Sequence, residues 1–270
     1  MVFKQILGFR IERLKFSEMP APFNSLFSTA VQNHAARDMS LDMTHKFFLP
    51  DTVLRNKDHI AFVFNCGGKT QYDKIRTLLS DYLPLFEQAA TFPERAKETV
   101  DSVRYLFLYD TDADGLDRIV DNISTAFQRI NEKDFMVGDW VGATSEFGRI
   151  SNDKAVFVWG GTPDGGTLED ILMPMFDFTE ENKPLIAKSK QTINEMFTWD
   201  MDDSDLRRAV AEVEKFKKAV LTTVGQRKKP GGSLSVVLEQ ADLISVDALR
   251  ACHITAGFVE FIREFWGVID

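Results

Sequence analysis

Asp110, Asp112 and Asp114 stand two residues apart where an apolar run ends, in the segment VRYLFLYDTDADG from Val103 to Gly115. On an extended chain, residues two apart point the same way with a separation of about 6.6 Å. Asp110 and Asp112 would then repel each other by roughly 3 kcal/mol at an effective dielectric of about 20, and a divalent cation would remove that repulsion. The other reading is a solvated turn, in which the Asp side chains accept from nearby backbone amides and water screens the repulsion to well below ~1 kcal/mol. The run itself is short and rich in Val, Phe, Tyr and Leu, which predicts a fully covered central strand. In open α/β sheets, ligands bind at the carboxyl ends of such strands.

Other acidic residues join this set. Glu18 is expected to end the first strand ahead of a proline-initiated helix, where it could act as a general acid or base or as a metal ligand. The macrodipole also favours a carboxylate near a helix N-terminus, by about 0.3 to 1 kcal/mol. Thr167 to Leu172, TLEDIL, puts Thr167 and Asp170 at capping-box spacing, while Glu169 and Asp170 could extend a metal site. The four histidines, His34, His45, His59 and His253, have no spacing suited to a shared ion.

Three familiar motifs nearly fit. CGGKT at Cys66 to Thr70 resembles the end of a phosphate-binding loop, but Val63 occupies the position of the required first glycine. Gly67, Gly68 and Lys69 therefore remain candidate substrate contacts only. Asp110, Asp112, Asp114 and Gly115 match the opening of a calcium loop, yet Asp121 replaces the bidentate Glu and a strand replaces the entering helix. A haloacid-dehalogenase nucleophile would need Thr or Val where Asp114 stands.

The elements that must position these residues alternate. Extended segments are expected at about Ile6 to Phe16, Lys46 to Leu49, Ile60 to Phe64, the run before Asp110, and Ala155 to Trp159. Amphipathic helices are expected from Phe23 to Val31, from Tyr72 to Phe86 after the Gly67-Gly68 turn, and from Leu116 to Ile130. The alternation predicts an α/β fold with a mostly parallel sheet flanked by helices. The last strand runs into Gly160, Gly161, Thr162, Pro163, Asp164, Gly165 and Gly166, a composition that permits close backbone approach to a ligand. From about Asp177 the texture becomes helical, with helices at Asp205 to Val224 and Phe258 to Trp266. The softest boundary lies near Glu180 to Lys188, so the expected organisation is an α/β domain over 1–180 and a helical C-terminal region over 181–270.

The 270 residues are 44% hydrophobic, enough for a sizeable core. No apolar stretch approaches membrane-spanning length, and the charged first residues do not read as a signal peptide, so a soluble, cytoplasmic protein is expected. Cys66 and Cys252 lie far apart without metal-ligand spacing and read as ordinary core or near-core thiols. The net charge of -9 argues against indiscriminate coating of nucleic acid. It leaves room for a nuclease whose basic residues collect locally, the candidates being Lys215, Lys217, Lys218, Arg227, Lys228 and Lys229; a solvated helix face is the alternative for these.

Taken together, Glu18 before a helix, the strand and Gly67-Gly68 turn, and the apolar strand ending in Asp110-Thr111-Asp112 resemble a toprim domain, the catalytic module of topoisomerases, primases and OLD-type nucleases. The segments VFVWGGTPDGGTLEDIL, Val156 to Leu172, and VGQRKKPGGSL, Val224 to Leu234, are similar to a prokaryotic family of toprim-like proteins related to the OLD nucleases. The resemblance implies a toprim-like sheet, with Glu18 in acid-base work or metal binding and Asp110 and Asp112 holding Mg2+ or Mn2+. It also makes Glu169 or Asp170 an additional acidic ligand. The glycine that commonly follows the toprim Glu is Met19 here, followed by Pro20. The expected function is metal-dependent phosphodiester chemistry on DNA or RNA, by a nuclease or phosphotransferase. With no obvious nucleophilic Tyr, cleavage is favoured over strand passage. The alternative is a non-catalytic module that binds a nucleotide, a metal ion or a partner protein.

Overall fold

The computed structural model describes residues 1–15, 18–20, 23–24, 50–57, 59–67, 71–91, 102–111, 114–196, 206–240 and 243–267. Of the helix expected at 23–31 only Phe23 and Asn24 are described, and they are helical; the strand expected at 46–49 lies outside the described residues, as do Gly68, Lys69 and Asp112. The chain is a mixed α/β protein that divides into two compact units. Met1–Leu7, Leu106–Asp121 and Asp139–Asp270 form the first; Gly8–Tyr105 and Asn122–Gly138 form the second. Residues 180–188, where the sequence is softest, belong to the first.

In the second unit, β1 (Arg10–Glu12), β2 (Thr52–Asn56) and β3 (His59–Val63) make an antiparallel meander. The first extended segment is thus much shorter than the expected 6–16. Val53 on β2 packs with Met19, Phe23 and Leu78, flanked by Ile60, Phe62 and Phe64. Helix α2 (Tyr72–Thr91) buries Ile75, Leu78 and Leu79, the i, i+3, i+4 stripe read from the sequence. Asn65 accepts from the Gly67 amide at 3.1 Å, and Gly67 has φ +79°, so this turn uses the freedom that glycine alone has. A short hairpin of β5 (Arg129–Ile130) and β6 (Lys133–Asp134) completes the unit, and the Asn131 amide group donates to Ser80 O at 2.7 Å.

The first unit, which also holds the short helices α1 (Val2–Gln5) and α8 (Val246–Ala251), is built on a four-stranded sheet. Its order is β4 (Tyr105–Asp110), β9 (Lys154–Trp159), β8 (Gly148–Ser151), β7 (Val141–Gly142). β7, β8 and β9 pair antiparallel. The Thr111 amide at the carboxyl end of β4 donates to Trp159 O at the carboxyl end of β9, at 3.1 Å, so these two strands run parallel. The sheets are therefore only partly parallel, because hairpins 141–151 and 148–159, too short to show a clear period in the sequence, supply the other partners.

The expectation of a covered central strand ending at Asp110 is corrected. Among the described strands, β4 stands at the end of its sheet, and Leu108 is 43% exposed. The fully buried strand is β9, where Ala155, Val156, Phe157 and Val158 are all at 0% exposure. An apolar run reports only that a strand is partly covered; its place in a sheet depends on which partners arrive from elsewhere in the chain.

Helices cover β9. Helix α9 (His253–Trp266) lays Phe258 and Phe261 against Phe157, with ring centroids 4.8 and 5.2 Å apart. It comes this close because β8 carries Gly148, where a Cβ would meet the Phe261 ring at 2.4 Å. Helix α4 (Leu168–Asp177) and the long helix α6 (Leu206–Gln226) pack against each other, with α5 (Lys183–Met196) and α7 (Leu234–Gln240) alongside α6. Val220, Leu221 and Val224 form the buried face of α6. Helix α3 (Gly115–Ala126) follows β4 and buries Leu116, Ile119, Val120 and Ile123, the stripe expected from the sequence, while Phe127 and Ile130 lie beyond its end. Among the described residues, no helix is long and apolar enough to cross a membrane.

Candidate functional site

The carboxyl ends of β4 and β9 lie side by side, and each leads into a glycine-bearing turn. At the end of β4, Asp110 is exposed while Thr111 is wholly buried, as alternation along an extended chain requires. The Thr111 hydroxyl donates to Gly166 O at 2.7 Å, and its carbonyl accepts from the Asp114 amide at 3.0 Å. The chain then enters α3 at Gly115, φ +72°, where a Cβ would come within 3.2 Å of Asp164 O. The Leu116 amide donates to Pro163 O at 2.8 Å.

The loop from Gly160 to Gly166 is folded onto this turn. Thr162 and Gly165 bond each other through both amides, at 2.9 and 3.3 Å, which makes the loop a closed ring. Gly160 has no room for a side chain: a Cβ there would stand 1.7 Å from Thr111 Oγ1. Gly166, at φ +109°, would place a Cβ 2.5 Å from Gly161 N. Gly160 and Gly166 therefore serve packing within the first unit.

The acidic candidates separate into distinct roles. Asp114 pairs with Arg118 at 3.2 Å, one helical turn on. Asp170 is fully engaged: Oδ2 accepts from the Thr167 amide at 2.9 Å and from the Thr167 hydroxyl at 3.2 Å, while Oδ1 accepts from Lys217. Burial raises the Asp170 pKa, but the Lys217 and Thr167 hydrogen bonds outweigh it and leave the carboxyl below its ordinary value. Asp170 thus acts as the helix cap that its spacing to Thr167 suggests. Glu169 beside it is 5% exposed and has the Lys218 ammonium 3.7 Å away.

Glu18 lies in the second unit, outside any strand, and its Oε2 accepts from the Lys15 amide at 2.9 Å. The carboxylate closes a local turn rather than ending β1, six residues earlier. Gly67 belongs to the same unit.

Among the described residues, no group of three or more His, Cys, Asp or Glu side chains is arranged to hold a metal ion. No family model, curated protein or solved structure matches this chain. Asp110 presents an exposed carboxylate at the strand end, the kind of oxygen donor that a hard cation takes.

Lys215, Lys217 and Lys218 on α6, and Arg227 just beyond its end, are ion-paired. Lys217 and Lys218 reach Asp170 and Glu169 on α4, Lys215 pairs with Glu212, and Arg227 bonds Glu181 at 2.7 Å and Asn182 at 3.3 Å. The glycine-rich composition of the loop marks Gly160 and Gly166 in the sequence, but nothing there pairs them with Thr111, which stands 55 residues before Gly166.

Proposed function

We propose that the chain is a toprim-like protein performing divalent-metal-dependent phosphodiester chemistry at the β4 rim, with DNA or RNA as substrate. The observation that supports this reading is the exposed Asp110 at the carboxyl end of a strand running parallel to β9, beside a turn and a loop bonded to each other. Asp110 and Asp112 would hold Mg2+ or Mn2+, and Glu169 is the additional acidic candidate, because Asp170 is already saturated by Thr167 and Lys217. The bound ion would polarise phosphoryl oxygens and lower the pKa of a water molecule.

The protein's own groups do the rest. Asp110 orients the phosphate by fixing where positive charge sits on the rim. Lys217 and Lys218 on α6 pair with Asp170 and Glu169 of α4 and so hold that helix in place behind the loop that precedes it. Glu18, the proton-transfer candidate in the toprim resemblance, accepts from the Lys15 amide through Oε2.

A second reading is a non-catalytic module that binds a nucleotide, an ion or a partner through the same rim. It is favoured by the cationic partners of Asp114, Glu169 and Asp170, which already balance much of the negative charge. Incubating the full chain with single- and double-stranded DNA and RNA, first in Mg2+ and then in Mn2+, separates the two. Cleavage that disappears in Asp110→Asn supports the enzyme; Mn2+ binding by calorimetry with no turnover on any of the four substrates supports the module.

A further inference from the structure

We propose that Thr111 is a positioning residue that fastens the Asp110 end of β4 to the Gly160–Gly166 loop, so that carboxylate and loop meet a metal-bound phosphate as one rigid rim. The inference rests on the reading of Asp110 as a metal ligand and adds a role for a residue that touches neither ion nor substrate.

Every polar group of Thr111 is engaged and none of its surface is exposed. Its amide is tied to Trp159 O, its carbonyl to the Asp114 amide and its hydroxyl to Gly166 O. The first of these bonds fixes the peptide plane between Asp110 and Thr111. The second fixes the chain where it re-enters α3, on the far side of residue 112. The third crosses to the loop, and the Leu116 amide bond to Pro163 O crosses beside it. The β4–α3 turn is thus fastened at both of its ends, to β9 or to the loop that follows β9.

The hydroxyl is the part that no apolar residue replaces. Gly166 has a backbone conformation that L side chains rarely adopt, and Thr111, itself wholly buried, supplies the donor for the carbonyl of this half-buried residue. Without that donor, Gly166 O would lose the bond that ties the loop to the end of β4. Gly160 is the complement of the same arrangement, since its missing Cβ is the space that Thr111 Oγ1 occupies. A loop released from Thr111 would no longer hold a fixed place beside Asp110. Partners that orient a metal ligand from behind are commonly worth 10- to 100-fold in metal affinity.

The test compares wild type, Thr111→Val, Thr111→Ala and Thr111→Ser as full chains, reading Mn2+ affinity by calorimetry and amide hydrogen exchange over residues 160–166. The wild type is expected to bind Mn2+. Val and Ala should weaken binding by about tenfold or more and speed exchange in the loop, while Ser should restore both to within about twofold. Using two hydroxyl-free variants keeps the test open if the added methyl of Val prevents folding. Wild-type affinity in a folded Val or Ala variant overturns the proposal, as does a loss that Ser leaves uncorrected. A wild type that binds no Mn2+ overturns the metal reading itself and the proposal with it, and is recognised because the failure then precedes any substitution.

Discussion

The Lys217 ammonium on α6 bonds one oxygen of Asp170 while the other oxygen of the same carboxylate accepts from the Thr167 amide at the start of α4. One side chain therefore caps a helix and joins it to its neighbour. Because the folded Asp170 pKa is depressed, the native state binds fewer protons there than the unfolded chain. Its contribution is complete above the unfolded value of about 3.9 and disappears as the pH falls through the lower, folded value. Asp170→Asn should cost about 1 to 2 kcal/mol at neutral pH, and the deficit should vanish in acid. Urea midpoints of both proteins from pH 7 to pH 3 measure this; a deficit that does not change with pH would contradict it.

Gly160→Ala should destabilise the protein by about 2 kcal/mol or more, since the new methyl would overlap Thr111 Oγ1 in a fully buried place. Part of that loss should return when Thr111→Ala is added, because removing the hydroxyl clears the space. A double-mutant cycle by chemical denaturation reads the coupling, and strictly additive effects would argue against the overlap.

Lys218→Met should cost about 1 to 3 kcal/mol, well above the usual effect of removing a surface lysine, because Glu169 is almost wholly buried and Lys218 stands beside it. In a Glu169→Gln background the same substitution should be nearly neutral. Thermal or urea unfolding of the four proteins checks it, and an equal cost in both backgrounds would mean that the pair is energetically idle.

Cys66 should alkylate slowly. Burial raises its thiol pKa, the nearby Asp51 carboxylate adds to this, and Lys74 offsets it in part. At pH 8 the thiolate fraction is then below that of a free cysteine, whose pKa is about 8.5. In a Cys252→Ser background, iodoacetamide should react faster with Asp51→Asn and more slowly with Lys74→Met than with the parent. The reverse order would exclude the electrostatic cause.

Local pattern alone determined a good part of this protein. The stripes Ile75-Leu78-Leu79 and Leu116-Ile119-Val120-Ile123 and the strands at His59–Val63 and Lys154–Trp159 follow from apolar runs and periodicity; the helices expected at 205–224 and 258–266 are found at Leu206–Gln226 and, starting five residues earlier, at His253–Trp266. The Thr167–Asp170 cap was legible for the same reason, its partners being three residues apart. Tertiary structure decided the rest. Among the described strands it placed β4 at the end of its sheet and gave the buried position to β9, since burial depends on which distant strands and helices arrive. It also divided Glu169 from Asp170 by bringing different lysines of α6 to each, and it set the Thr111 hydroxyl in the space left by Gly160. Such contacts join residues tens of positions apart, and no spacing along the chain encodes them.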